Sequence, residues 1–268
     1  MGVAPDQARG GARSGTFLGV DFRAALIEET KAFGDVIRAA DPTTPVPTCP
    51  GWTLNQLFKH LGRGHRWAAQ IVAERRTEPL DPREVRDGKP PEDRDAAIDW
   101  LNGSAQAVID AVDQVGSDAR VWTFTGPKPA GFWIRRRLHE ATVHRADAAL
   151  AVGVDYHLPP ELAADGISEW IDLMVVQADP HAPPVERGTA LHLHATDGGL
   201  GPTGEWMITN DEDGLNWSHD HGKGEAAVRG TATDLLLAVV RRRTVEESGV
   251  EVLGDRAVWD RWLERTPF

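Results

Sequence analysis

The chain has 268 residues, enough for one large domain or two modest ones, and its 41% hydrophobic and 26% charged residues are those of a soluble globular protein. Asp and Glu outnumber Lys and Arg by 41 to 29, a formal net charge of −12, which argues against broad nucleic-acid binding and against adhesion to an anionic membrane. No apolar run approaches the roughly 20 residues that a membrane helix needs, and the single cysteine, Cys49, excludes an internal disulfide and points to the reducing cytoplasm.

Residues 1–15 carry no apolar segment of the signal-peptide kind and are expected to be a disordered leader. A first helix is predicted over 17–40, with a stripe of Phe22, Leu26, Phe33, Val36 and Ile37 and a stop at Asp41-Pro42. The Pro-rich stretch 45–52 is expected to run extended. Thr53 opens a second helix, ending near Arg76, with Gln56 placed to complete a capping box. Gly62 and Gly64 weaken that helix and mark a place where something packs close to its backbone. After a polar loop over 77–91, a third helix is predicted over 92–115, then an irregular link over 120–129. The fourth helix holds Trp133 to Ala148 and ends at Gly153.

Beyond Pro159-Pro160 the texture changes. A helix through Ile167, Trp170 and Val175 precedes strand-like segments at 191–194, 205–209, 214–218 and 226–229. An apolar helix capped by Thr231 or Thr233 ends in Arg241-Arg242-Arg243, where cations suit the helix dipole. A short strand at 251–253 and a helix over 255–265 complete the chain. Four helices followed by a mixed α/β segment indicate a helix bundle and a smaller α+β domain.

The chemistry is concentrated on the fourth helix. Glu140 and His144 are four residues apart and share a face, the geometry of two ligands to one ion. His60, midway along the second helix among Leu57, Phe58 and Leu61, is the best third ligand, since bundle cores build metal sites from facing helices. Two His and one carboxylate suit a catalytic zinc with one open position, or iron. His65 and His139 lie near these residues but off their face, placed to orient a ligand or a substrate, and Arg136 is spaced to pair with Glu140. His192 and His194 share a strand face and His219-Asp220-His221 is ligand-like, but both read better as polar surface. Asp211 to Gly214 reads as a hairpin turn, and Cys49 as a packing residue. Ten Trp against one Tyr reflect either GC-rich coding or a Trp-lined pocket.

Two segments resemble the mycothiol-dependent maleylpyruvate isomerase family: Val46-Pro47-Thr48-Cys49-Pro50-Gly51-Trp52-Thr53 with His60-Leu61-Gly62 and His65-Arg66-Trp67, and Arg135-Arg136 with His139-Glu140 and Val143-His144-Arg145-Ala146-Asp147-Ala148. Gly230 to Leu237, ending at Arg242, is similar to the family's second domain. The resemblance implies a fold class of α + α/β, a DinB-like four-helix bundle over 16–153 followed by a smaller α+β domain over 158–268. It implies zinc held by His60, Glu140 and His144, mycothiol as thiol cosubstrate, and a catalytic Arg at Arg242, with Arg241 and Arg243 as neighbours in doubt because the family often has Trp-Gly-Arg there. The implied activity is isomerisation or S-conjugation of a small electrophile, with a non-catalytic binding module and a thiol-independent metal hydrolase as the other readings of the same scaffold.

Overall fold

A computed structural model describes residues 16–17 and 19–267; the leader expected over 1–15 lies outside the described residues. A short antiparallel pair, β1 (Thr16–Phe17) and β2 (Val20–Asp21), leads into α1 (Phe22–Ala39). The helix starts at the first residue of its apolar stripe, five residues later than predicted, because Asp21 is the cap, accepting from the backbone N–H of Arg23 and Ala24. The connection over 45–52 is not extended. It doubles back through turns, with the Val46 N–H bonded to the Trp52 carbonyl and that of Trp52 to the Cys49 carbonyl. This puts Val46 in the core and turns Thr48 and Cys49 toward the fourth helix.

Helix α2 (Leu54–Ala73) has the expected box: the Gln56 side chain accepts from the Thr53 backbone N–H at 2.8 Å. Both of its glycines are sites of close approach. A Cβ on Gly62 would collide with the Trp100 ring, and one on Gly64 would lie 2.5 Å from the Arg137 guanidinium. Helix α3 (Arg94–Val115) is capped by Asp93, and the irregular link contains a small hairpin, β3 (Arg120–Val121) with β4 (Lys128–Pro129). Helix α4 (Phe132–Val152) stops at Gly153, which takes the left-handed conformation at φ 72°.

The second half is α5 (Pro160–Gln177), β5 (Ala190–Ala195), β6 (Glu205–Asp211), β7 (Gly214–Ser218), β8 (Ala226–Gly230), α6 (Ala232–Val239), β9 (Glu251–Gly254) and α7 (Arg256–Arg265). The five strands form one mixed sheet in the order β7-β6-β5-β8-β9, with only β5 and β8 parallel. Asp211 pairs with Gly214, so the acidic run there is the expected hairpin turn. Leu191, Leu193, Trp206, Ile208 and Val228 alternate onto the buried face, and one continuous core joins them to α5, α6, α7 and the α1–α4 bundle.

Helix α4 differs from its neighbours. It is buried on nearly every side, yet Arg136, Arg137, His139, Thr142, His144 and Asp147 are among its buried residues. A buried polar side chain needs a partner, so the surroundings of α4 must supply a network.

Candidate metal centre

His60 on α2 and Glu140 and His144 on α4 come together. The His60 Nε2 lies 3.1 Å from Glu140 Oε1, and His144 Nε2 lies 3.9 Å from the same oxygen. The two imidazoles stand perpendicular, 5.0 Å between centroids, and the three ligand-type atoms fall within 4.8 Å of one another. His144 and Glu140 are largely buried while His60 is 41% exposed, so the group opens to solvent on the His60 side.

Each member is held by a partner. The Asp147 carboxylate accepts from His144 Nδ1 at 2.8 Å, which fixes the tautomer and leaves Nε2 facing Glu140. Asp147 is held in turn by Arg242, whose Nε and Nη2 reach its two oxygens at 2.8 and 3.2 Å, and by the Thr48 hydroxyl at 2.6 Å. Glu140 Oε2 is 2.7 Å from Arg137 Nη1 and 3.7 Å from Arg136 Nε. Burial works to raise the Glu140 carboxyl, but Arg137, the bond from His60, Arg136 and His144 outweigh it and keep it well below the usual carboxylate range. Burial also lowers His144 against the pull of Asp147 and keeps its imidazole neutral. An ionised carboxylate and the neutral imidazole of His144 are donors of the kind a divalent ion requires, and His60 adds a second imidazole.

Cys49, His144 and Asp147 form a second, overlapping trio. It is the poorer site. Burial and the neighbouring Asp147 push the Cys49 thiol up to about 11, so it stays protonated, and Asp147 is already committed to Arg242 and Thr48.

The remaining expected residues have definite places. Helix α6 ends at Val239, Arg241 takes a left-handed turn at φ 57°, and Arg242 is thereby pointed inward. Its guanidinium lies against Asp147 rather than at the open side of the trio; Arg243 instead approaches Asp234. His65 accepts from Arg137 Nε on Nδ1 at 2.9 Å, so its Nε2–H donates to Thr30 at 3.1 Å, and it touches Glu140 only through Arg137. His139 turns away, bonding Asp165 at 2.6 Å. Arg136 bridges Glu140 and Glu169.

A cleft of about 540 Å³ opens over His60 and Glu140, between Trp52, Gln56, Lys59, Arg63, Gly64, Trp67, Pro82 and Arg137. Trp52 packs edge-on against His60 at 4.9 Å, and Trp67 continues into an aromatic cluster with Trp122 and Trp133. Part of the Trp surplus therefore lines a pocket. Lys59 and Arg63, one turn apart and flanking His60, went unread in the sequence, as did Asp147 and Arg137. The signal for the last two was their spacing, three residues from His144 and from Glu140 on the same face.

A bundle of four helices joined to a mixed sheet, with a two-His, one-carboxylate trio under a cleft, defines a class of two-part helical and α+β proteins. Residues 23–149 match the mycothiol maleylpyruvate isomerase N-terminal domain and residues 161–261 the C-terminal domain of the same family. The chain belongs to the mycothiol-dependent maleylpyruvate isomerase family. Two solved structures are similar in fold, a mycothiol-dependent maleylpyruvate isomerase at 16% identity and a histidine-to-alanine mutant at 15%. Each has a TM-score of 0.58, covering 86% of this chain and 91% of its own. The chain finds no match among curated protein sequences. No helix among the described residues is long and apolar enough to cross a membrane.

Proposed function

We propose that this chain is a zinc-dependent, mycothiol-using isomerase of the maleylpyruvate type, with His60, Glu140 and His144 as the metal ligands. The observation that carries the reading is the convergence of these three side chains under a cationic cleft, with Asp147 fixing the ligand nitrogen of His144. A divalent ion there supplies Lewis-acid stabilisation of a thiolate, lowering the thiol pKa. In the reaction the mycothiol thiolate adds to one carbon of a cis double bond conjugated to a carbonyl, the resulting single bond rotates, and expulsion of the thiolate restores a trans double bond. Nothing is oxidised or reduced.

The chain's own residues bind and orient. Lys59 and Arg63 face the cleft and take the substrate carboxylate, in place of Arg242, to which the family resemblance assigns a catalytic part. Arg242 acts through Asp147 as a positioning residue. Arg137 keeps Glu140 ionised, and Trp52 and Trp67 form the apolar walls. The two parts, 16–153 and 158–268, divide the work: ligands and cleft come from the first and Arg242 from the second. A thiol cosubstrate and a single cysteine fit a reducing, cytoplasmic setting.

The test is isomerisation of maleylpyruvate by purified protein, with and without mycothiol, beside metal analysis of wild type and His144→Ala. Thiol-dependent turnover, lost together with a metal equivalent in His144→Ala, is the expected result. Hydrolysis of a substrate bond without thiol would favour a hydrolase. Metal binding without any turnover, on maleylpyruvate or on epoxide and other S-acceptor substrates, would favour a binding module.

A further inference from the structure

Far along the chain from the bundle trio, the sheet carries a second cluster. The face of β5 opposite the core bears His192 and His194, and Glu205 of β6 stands directly across from His194 in the strand register. His221, in the connection between β7 and β8, folds back over them. All three imidazoles converge on the one carboxylate: His192 Nε2 is 2.6 Å from Oε2, and His194 Nδ1 and His221 Nδ1 are 2.7 and 3.1 Å from Oε1. The ring centroids are 5.5 to 6.3 Å apart, and the four ligand-type atoms lie within 4.8 Å of one another. His219 fixes the base of the group by donating from Nδ1 to the Glu205 carbonyl at 2.7 Å.

We infer that this cluster is a second metal site, closed and structural, for a divalent transition ion of the zinc type. Three imidazoles and one carboxylate are a borderline N/O donor set, suited to Zn²⁺ and, at higher intrinsic affinity, to Cu²⁺. Four protein ligands complete a tetrahedron and leave no open position, unlike the trio on the bundle. The present N···O separations are hydrogen-bond lengths. Ligands about 2.0–2.1 Å from a tetrahedral ion are roughly 3.3 Å apart, so entry of an ion requires the His192 and His194 contacts with Glu205 to lengthen by roughly 0.6–0.7 Å, the His221 contact by only about 0.2 Å, and the bridging protons to leave. Rotation of the Glu205 carboxylate supplies the larger movement, since His192 is almost wholly buried, and His221, its side chain 77% exposed on a connection, is free to follow. A polar sheet face accounts for two outward histidines by alternation. It does not account for a third, brought from another segment onto a carboxylate already shared by two. Arg229, beside His194 in register on β8, works against a cation, and Glu251, in register with it on β9, offsets that charge. The ion would pin the connection over 219–225 to the sheet.

The test uses the full chain, stripped with chelator and titrated with Zn²⁺ by calorimetry and metal analysis, and with Co²⁺ by visible absorption. Wild type should take up two equivalents, and His221→Ala and Glu205→Gln one each. His60→Ala should also bind one, and it should lose that one when His221→Ala is added. Zn²⁺ should raise the melting temperature of His60→Ala but not of the double variant. His221 is exposed, so its truncation leaves the fold unthreatened. Equal uptake by wild type and His221→Ala would overturn the sheet site whatever happens at the bundle. Loss of an equivalent in His221→Ala but none in His60→Ala would uphold it while sinking the bundle reading.

Discussion

His139 and His144 leave the same helix five residues apart, and each is held by an aspartate that also holds an arginine. His144 bonds Asp147, which is gripped by Arg242 from the far end of the chain. His139 bonds Asp165 of α5, which is gripped by Arg135 through two bonds of 2.9 Å. Composition and burial are alike, and both aspartates are deeply buried. The other ring nitrogen separates them. In His144 it faces Glu140 and lies close to His60. In His139 it is buried with no hydrogen-bond partner among the described residues and abuts Gly166. One chain of bonds ends at a cleft and the other inside the core. A His–Asp–Arg chain is therefore not in itself a functional sign; what the far nitrogen meets decides.

The largest effect that would break this comparison is a swap of roles between the two histidines. His144→Ala should reduce thiol-dependent turnover to the uncatalysed background and release a metal equivalent. His139→Ala should leave the metal in place and cost stability. Metal analysis and urea denaturation of both variants check this, and metal loss from His139→Ala would mean that the two chains are coupled.

Next in size are the aspartates. Asp147→Asn should weaken metal binding at the bundle site about 10- to 100-fold, because it frees the His144 tautomer. It should also destabilise the protein by about 3–5 kcal/mol by leaving the buried Arg242 charge unmatched. Asp165→Asn should bring a comparable destabilisation, moderated because Arg135 also approaches Asp172, with unchanged affinity at that site. A zinc competition titration beside denaturant melts separates the two.

This pair also shows what was legible beforehand. Local signals carried the fold: the Thr53 box, the stop at Gly153 and the alternation of β5 all stand in the structure where periodicity and caps put them. Position inside a helix also gave Glu140 and His144 a common face, and put His60 among the apolar residues of the facing helix. What failed depended on distant partners. The stretch 45–52 curls because Val46 joins the core and Thr48 reaches Asp147, 99 residues away. Arg242 turns inward on a left-handed Arg241 that no pattern announced. The His192–His194 pair and the His219-Asp220-His221 run read as separate stretches of polar surface, and only the folded sheet brings His221 onto the pair and Glu205 among them.

Acid should affect both chains in the same direction. Burial works to raise Asp147 and Asp165. Their histidine and arginine partners outweigh it, and both carboxyls sit below the usual range in the folded protein, Asp147 further than Asp165. A depressed folded value stabilises fully above the unfolded value near 3.9, and the contribution is lost as pH falls from there through the folded value. Metal-free protein should therefore lose stability steeply below about pH 4. Asp147→Asn should flatten that fall more than Asp165→Asn, as read by denaturant melts between pH 5 and 2 in steps of about half a unit. Equal slopes in both variants would show that Arg242 and Arg135 hold their aspartates equally.

The smallest expected effects sharpen the comparison from the glycine side. Gly166 on α5 would place a Cβ 3.1 Å from His139 Nδ1, and Gly64 on α2 would place one 2.5 Å from Arg137. Alanine is favoured over glycine by about 1 kcal/mol inside a helix. At Gly166 the imidazole is clamped by Asp165 and must shift a few tenths of an ångström, so Gly166→Ala should be close to neutral in stability and silent in metal binding. At Gly64 the colliding atoms are the tip of a long side chain, which can yield, so stability should again change little. That tip, however, is the guanidinium that grips Glu140 at 2.7 Å, and moving it loosens the carboxylate of the trio. Gly64→Ala should therefore lower zinc affinity at the bundle site several-fold at nearly constant melting temperature. Unchanged affinity would show that Glu140 is held by its place on α4 and by His60 alone, leaving Arg137 to neutralise charge without positioning it.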